Sequence, residues 1–433
     1  MDRTLARDLP EHRGKEVRVA GHLQDYRALG SLGFAILRDR SGLLQVTLKK
    51  GETPEEVFAQ VAGLNRESVI SVTGLALENP KAKVGSEVLA RSVEVLTRAE
   101  APLPLGVVDK VGADLDTRLD HRFMDLRKRE NQNILELRDS LMEGLRHAFR
   151  AMDFIEVETP KILRQGAEGG ATLFAVDYFG QKAYLAQSPQ LYKQMLMSTD
   201  LERVFEIAPA FRAEPSATSR HLTEFTSVDA EMAYIRGPED LWDTVEHLVL
   251  YTLEYTRREL TKDGNPLVER LPEVKIPFPR IPYTEAKAMI HGNPEEDLSS
   301  EDEKALGEVV PKERGNEFYF ITEFPSSLKR GTFYAMRRDD DPAKTNYFDL
   351  DFRGLELVSG GQREHRIEHL SENIRSAGLD PAAFPSYLES FRFGMPPHGG
   401  FALGLDRLTA RLAGLANIRE ARLFPRDRFR LEP

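Results

Sequence analysis

Apolar and polar positions alternate with period two through much of the first hundred residues. The runs Val17–Leu23, Phe34–Arg38, Leu43–Leu48, Val69–Leu77 and Val88–Leu96 are rich in β-formers and predict five short strands. Asp39-Arg40-Ser41-Gly42 joins two of them as a hairpin turn. Leu44, Val46 and Leu48 alternate with Gln45 and Thr47, so one face of that strand is expected in the core while the other offers polar groups. Five such strands in a segment of this length fit a small closed barrel of the OB type, whose second and third strands make a face used for oligonucleotides. Phe34 opens the neighbouring strand. Periodicity alone favours a core role for it; on the polar face it would stack a base whose edge Gln45 could bond.

Past this segment, Ala101-Pro102-Leu103-Pro104-Leu105-Gly106 marks a hinge. The division expected is a barrel over 1–103, a linker over 104–125 and a second domain over 126–433. In that domain Ile134, Leu137, Leu141, Leu145, Phe149 and Met152 recur at helical spacing, which predicts a long amphipathic helix seeking a sheet or a partner chain. Strands are then predicted at Phe154–Val157, Tyr184–Ala186, Val204–Phe211, Phe225–Met232, Tyr347–Phe352 and Leu355–Val358. They do not alternate regularly with helices, which points to an α+β fold with a mainly antiparallel sheet. Residues 236–345 are expected to hold a polar insertion, its acidic stretch 292–316 at the surface.

The chain has 433 residues, with 59 Lys plus Arg against 70 Asp plus Glu, a net charge of -11. That balance excludes a protein whose whole surface grips nucleic acid. Charge is uneven: residues 1–105 contain 15 basic and 14 acidic residues, a net of +1, leaving -12 for the remainder. With no Cys, disulfides and Cys-ligated metal sites are excluded. No apolar run is long enough to span a bilayer, and the opening MDRTLARDLP lacks a secretory pattern, so no membrane association and a cytoplasmic address are expected. P-loop, dinucleotide-binding and serine-hydrolase motifs are absent.

Two sets of residues carry candidate chemistry. His365-Arg366-Ile367-Glu368-His369 matches the zinc pattern H-x-x-E-H, but a lone short motif in so charged a segment reads better as a solvated helix. The stronger set is dispersed. Arg212 and Glu214 end a strand, Arg220 and His221 occupy the following loop, and period two places Ser227, Asp229 and Glu231 on one face of the return strand. Surface ion pairs are the plain alternative. Glu356 and Ser359 supply hard oxygen atoms suited to Mg²⁺, and Gly399-Gly400-Phe401-Ala402-Leu403-Gly404-Leu405-Asp406-Arg407 leads a Gly-rich strand into a helix. Two Arg, a His and a Mg²⁺ site form an inventory for holding a triphosphate without a P-loop.

Taken together these segments resemble the class II aminoacyl-tRNA synthetases, specifically the aspartate enzymes of compact archaeal and eukaryotic type. Glu158-Thr159-Pro160 resembles motif 1, Arg212–Glu231 motif 2 and Gly400–Arg407 motif 3. The resemblance implies ATP as substrate and Mg²⁺ as cofactor. Arg212 would hold the α-phosphate and the substrate carboxylate, Glu214 adenine, His221 and Arg407 the outer phosphates; Arg212 and Arg407 are the catalytic cations. Glu356 and Ser359, with Asp349, would bind Mg²⁺. Gln190, Lys193, Asp229, Ser359 and Arg363 would hold L-aspartate, with Glu168 on a loop that closes over it. Two cations facing a carboxylate fit aspartate, whereas asparagine would leave one charge unpaired. Asparaginyl enzymes lack the Lys at position 193 and are the alternative; a catalytically inactive tRNA-binding paralogue is a third reading, opposed by the intact set of charged residues.

The resemblance also gives the barrel an anticodon-reading role, with Phe34 stacking on the central base and Gln45 bonding it. His22 and Pro80 stand where enzymes restricted to tRNA-Asp carry Trp and Lys, so charging of tRNA-Asn as well as tRNA-Asp is implied. A homodimer and an association with an amidotransferase complete the expectation.

Overall fold

Five strands close into a barrel in the order β1-β2-β3-β5-β4: β1 (Glu16–Leu29), β2 (Leu32–Asp39), β3 (Gly42–Lys49), β4 (Val69–Glu78) and β5 (Ser86–Thr97), with helix α1 (Glu55–Ala62) between β3 and β4. The structure, a computed structural model, describes residues 1–108, 112–166, 173–213 and 218–433. It divides into two compact units, Met1–Asp114 and Leu115–Pro433. The barrel core alternates along the strands: Val17, Val19, Leu23, Ala35, Leu37, Leu44, Val46, Leu48, Ile70, Val72 and Val88 are buried together. The Asp39 carboxylate shapes the predicted hairpin turn by accepting from the backbone N–H of Ser41 and Gly42. β1 runs six residues past the predicted end, beyond an irregularity between Leu23 and Asp25. Its last residues face solvent and carry no alternation to be read.

The second unit is built on an eight-stranded sheet. Its strands are β6 (Ile155–Glu156), β10 (Arg203–Phe211), β11 (Glu224–Ala233), β12 (Arg280–Pro282), β13 (Phe318–Thr322), β14 (Tyr347–Phe352), β15 (Glu356–Gln362) and β16 (His398–Gly404), ordered β12-β13-β14-β15-β16-β11-β10-β6. Pairing is antiparallel except at the two edges. A separate three-stranded sheet holds β7 (Ile162–Leu163), β8 (Ala175–Tyr178) and β9 (Gln181–Leu185). The predicted helix is present as α2 (Arg129–Ala151). Its stripe Ile134, Leu137, Leu141, Leu145 and Phe149 is buried with β11 and β16 residues such as Val228, Phe401 and Leu403, so this apolar face is satisfied inside the chain and needs no partner.

Residues 236–345 depart from the expectation of a polar insertion. They contain helix α3 (Pro238–Asp263), whose Leu241, Val245, Leu248 and Leu253 join the same core, and the two sheet strands β12 and β13. β13 is buried on both faces, so its run Phe-Tyr-Phe-Ile-Thr shows no alternation. The acidic stretch forms α4 (Ser300–Arg314), started by a reciprocal cap between Ser299 and Asp302 and buried through Leu306 and Val310. Among the described residues no helix is long and apolar enough to cross a membrane.

Leu141 is fully buried in the α2 seam. Leu141→Ala is expected to cost about 2–5 kcal/mol of stability, read as a lower urea midpoint with an unchanged slope.

Candidate active site

β10 and β11 pair in register from Arg203 opposite Met232 to Phe211 opposite Glu224. This hairpin delivers Arg212 at its tip, where the backbone N–H of Arg212 bonds to Thr223 O and its guanidinium lies 5.3 Å from the Phe225 ring. Arg212 Nε is buried with no hydrogen-bond partner among the described residues. Arg212, Arg220, His221, Phe225, Glu356, Ser359 and Arg407 line one cavity of about 170 Å³. Arg407 sits in the first turn of helix α5 (Leu405–Ala413) and donates to the Glu356 carboxylate at 3.3 Å and its carbonyl at 3.1 Å. Arg220 is anchored by Glu303 at 2.7 Å, and His221 Nδ1 meets Thr218 Oγ1 at 2.7 Å. Glu214 and Glu168 lie outside the described residues.

Beside these cations stands a group of acids. Asp349 and Ser359 are opposed across β14 and β15, and the Ser359 hydroxyl donates to Asp349 while meeting Tyr347 Oη at 2.8 Å. Burial, with repulsion from Glu356, pushes the Asp349 carboxyl up to about 6 despite the nearby Lys329 ammonium. Burial, with Glu303 and Asp349 as neighbours, also pushes Asp351 well above the ordinary carboxylate range. Lys329 lies 3.7 Å from Asp349 and 4.0 Å from the Phe324 ring centre. Two carboxylates and a hydroxyl, mutually repelling where they are charged, fit a small hard cation whose other ligands come from phosphate or water.

Beneath the cavity the charges are buried and paired. Glu231, fully buried in β11, accepts from Arg363 Nε at 2.9 Å and Nη2 at 3.3 Å, with Lys193 Nζ 3.4 Å away. Burial alone would raise this carboxyl, but Arg363 and Lys193 hold it below the ordinary carboxylate range. Lys193 gives its protons to Asp229 at 3.0 Å and to the carbonyls of Phe401 and Ala230. Among the described residues no hydrogen bond engages Arg363 Nη1, so of the two predicted cations it is the one with donors to spare. Gly400 is required here by close approach: a Cβ would fall 2.0 Å from Glu231 Oε2 and 2.2 Å from Ala230 O.

The amide of Gln190 belongs to a hydrogen-bonded chain that sequence reasoning missed. Gln190 Nε2 donates to Gln194 Oε1 at 2.8 Å, which also accepts from Tyr387 Oη at 3.1 Å. Gln194 Nε2 is therefore the donor toward His398 Nε2 at 3.0 Å, and His398 Nδ1 bonds to Pro396 O at 2.9 Å. Burial depresses His398 to about 4, so the ring is neutral and carries its proton on Nδ1. The whole chain leaves Gln190 Oε1 as the acceptor turned away from Gln194. The i, i+4 spacing of the two Gln on one helix was the available signal.

On the barrel, Phe34 and Gln45 share the outer face, opposite the buried Ala35, Leu37, Leu44 and Val46. The structure thus puts Phe34 outside the core that its periodicity suggested. Phe34 pairs with Thr47, Ile36 with Gln45, and His22 with Arg38 further along the same strands. Gln45, Thr47 and Asn79 all donate to one carboxylate oxygen of Glu87, at 2.7, 2.6 and 2.9 Å, and exposed Pro80 follows Asn79. Glu87 was not singled out from sequence. His365 precedes the helix Ile367–Ser376, on whose surface Glu368 and His369 are exposed.

Residues 114–428 match the family of class II tRNA synthetases (D, K and N), and residues 17–96 match the OB-fold nucleic acid binding domain. The chain is 48% identical to an aspartate–tRNA(Asp) ligase of Pyrococcus abyssi, covering 98% of this chain and 97% of the relative. It is 47% identical, over the same shares, to an aspartate–tRNA(Asp/Asn) ligase of Methanopyrus kandleri. Among solved structures, asparaginyl-tRNA synthetase of Pyrococcus horikoshii with asparaginyl-adenylate superimposes with a TM-score of 0.93 at 32% identity, covering all of both chains. A five-stranded barrel, an antiparallel sheet bearing cations at the ends of β10 and β16, and these matches place the chain in one family: it belongs to the class II tRNA synthetases of the D, K and N group, among the aspartate–tRNA ligases.

Proposed function

We propose that the protein activates L-aspartate with ATP and transfers it through aspartyl-adenylate to tRNA-Asp, and to tRNA-Asn as well. The observation that carries this reading is the juxtaposition of Arg212 and Arg407 in one cavity with the buried Arg363 and Lys193 beneath the same strands. ATP occupies the cavity, its purine against Phe225, its α-phosphate at Arg212 and its outer phosphates at His221 and Arg407. Arg363 receives the side-chain carboxylate of aspartate, and Lys193 joins it by exchanging one of its protein acceptors. Gln190 Oε1 and Asp229 accept from the substrate ammonium, an orientation supported by the chain through Gln194 and His398. Asparagine would offer these cations a neutral amide in place of a charge-assisted acceptor, and binds more weakly for that reason.

The reaction needs no general base, because the attacking carboxylate is already ionised. It adds to the α-phosphorus while pyrophosphate departs, and cations fixed before the reaction stabilise the charge that accumulates on the phosphate oxygens. Asp349, Glu356 and Ser359 would hold Mg²⁺, which neutralises phosphate charge when bound. A terminal ribose hydroxyl of tRNA then displaces AMP from the adenylate. On the barrel, Phe34 stacks a base and Gln45, oriented by Glu87, bonds its edge; His22 and Pro80 relax the choice between the two tRNAs. A homodimer accompanies this reading, supported by exposed Ile162, Tyr178 and Phe179 on the small sheet that follows Glu158-Thr159-Pro160. Association with an amidotransferase would follow from aspartate placed on tRNA-Asn.

Three measurements test the reading. ATP–pyrophosphate exchange is expected with aspartate and not with asparagine or lysine, and Arg407→Ala should lower it by about 100-fold or more while leaving tRNA affinity within about twofold of wild type. Purified tRNA-Asp and tRNA-Asn should be charged at comparable rates; strict preference for tRNA-Asp would overturn the dual specificity. Gln194→Leu should raise KM for aspartate about tenfold with a smaller change in kcat, because it frees the Gln190 amide without touching the phosphate cations.

A further inference from the structure

Arg220 and Arg407 also line a second, larger cavity of about 500 Å³, whose wall adds Lys304, Arg353 and Arg411. Glu308 is the one carboxylate among its described lining residues, against five cations. Three of the five have acidic partners: Arg220 with Glu303, Arg353 with Glu317 at 2.6 Å, and Arg407 with Glu356. Arg411 and Lys304 have no carboxylate within ion-pair distance among the described residues. Among the described residues Arg411 makes only a long bond, 3.4 Å, to Gly354 O, and its Nε is buried with no partner. Its burial and its proximity to Arg220 and Arg353 weaken its hold on its proton.

A half-buried guanidinium with its Nε unsatisfied, set among like charges, is unfavourable unless something anionic completes it. The space suits a compact, strongly charged ligand, and several cations spread around one cavity match an anion with more than one phosphate. We propose that this outer cavity is a binding site for inorganic pyrophosphate, separate from the nucleotide and reached past Arg407. The inference rests on the ATP reading for the origin of the pyrophosphate. Bound there, the leaving group is removed from line with the adenylate, which disfavours the reverse attack.

The test is calorimetric titration of sodium pyrophosphate into full-length enzyme, with and without saturating α,β-methylene-ATP. The nucleotide-saturated wild type should bind one further pyrophosphate, more weakly at higher salt. The double variant Lys304→Glu/Arg411→Gln should bind it about tenfold more weakly with unchanged affinity for the analogue. Lys304→Glu alone, at an exposed position on α4, should weaken it by a smaller factor and guards against a folding defect at Arg411. Absence of binding to the saturated wild type, or equal affinity in the double variant, overturns the proposal. Failure of the analogue itself to bind would overturn the ATP reading instead, and comparison of the nucleotide-free wild type and double variant would then decide the cavity by the same tenfold criterion.

Discussion

A single buried carboxylate, Glu231, sits at the crossing of the constraints in the catalytic unit. It lies in the middle of β11, paired with Arg363 from the end of β15 and close to Lys193 from the helix Gln190–Met195. Removing one member of such a group leaves a buried charge without compensation, a penalty of about 3–5 kcal/mol. The neighbouring strand must yield its side chains to make room, which is why Gly400 faces Glu231. The conformation of Arg363, the partners of Lys193 and the approach of β16 thus form one problem with one solution.

Charge is also sorted across the sheet. Arg212, Arg220 and Arg407 line one cavity, while Asp349, Asp351 and Glu303, raised by burial and by neighbouring carboxylates, hold their protons more tightly than carboxyls in water. Lys329, tucked over the rings of Phe324 and Tyr347, offsets part of that repulsion from below. Arg220 with Glu303 and Arg407 with Glu356 join the two groups. A polyanion bridged to a cation would exchange these pairings for its own, so that ligand binding and rearrangement of the ion pairs would be the same event.

Much of this was legible before the structure. Period two named Leu44, Val46 and Leu48 in the barrel core, helical spacing named the buried stripe of α2, and alternation put Ser227, Asp229 and Glu231 on one face. What stayed hidden has physical reasons. β13 is buried on both sides, so nothing in its pattern distinguishes one face from the other. The stripe on α2 announced burial without saying against what, and the answer was the chain's own sheet rather than a second copy. Glu87, Lys329 and His398 owe their roles to partners that the fold brings in from elsewhere; their local sequence carries no such information. Phe34 shows the converse, since a large aromatic in an apolar strand reads as core unless the register is known.

The glycines of β16 have a consequence for how this scaffold diversifies. Gly399 and Gly400 stand side by side between β11 and β15, where a Cβ would meet Leu241 at 2.7 Å and Glu231 at 2.0 Å, so this stretch of β16 admits no side chain. Variation is therefore left to the residues packed around that strand, among them Lys193 and Arg363. A strand held to bare backbone, with exchangeable neighbours, is a natural basis for a lineage in which closely superimposable proteins carry the names of different amino acids.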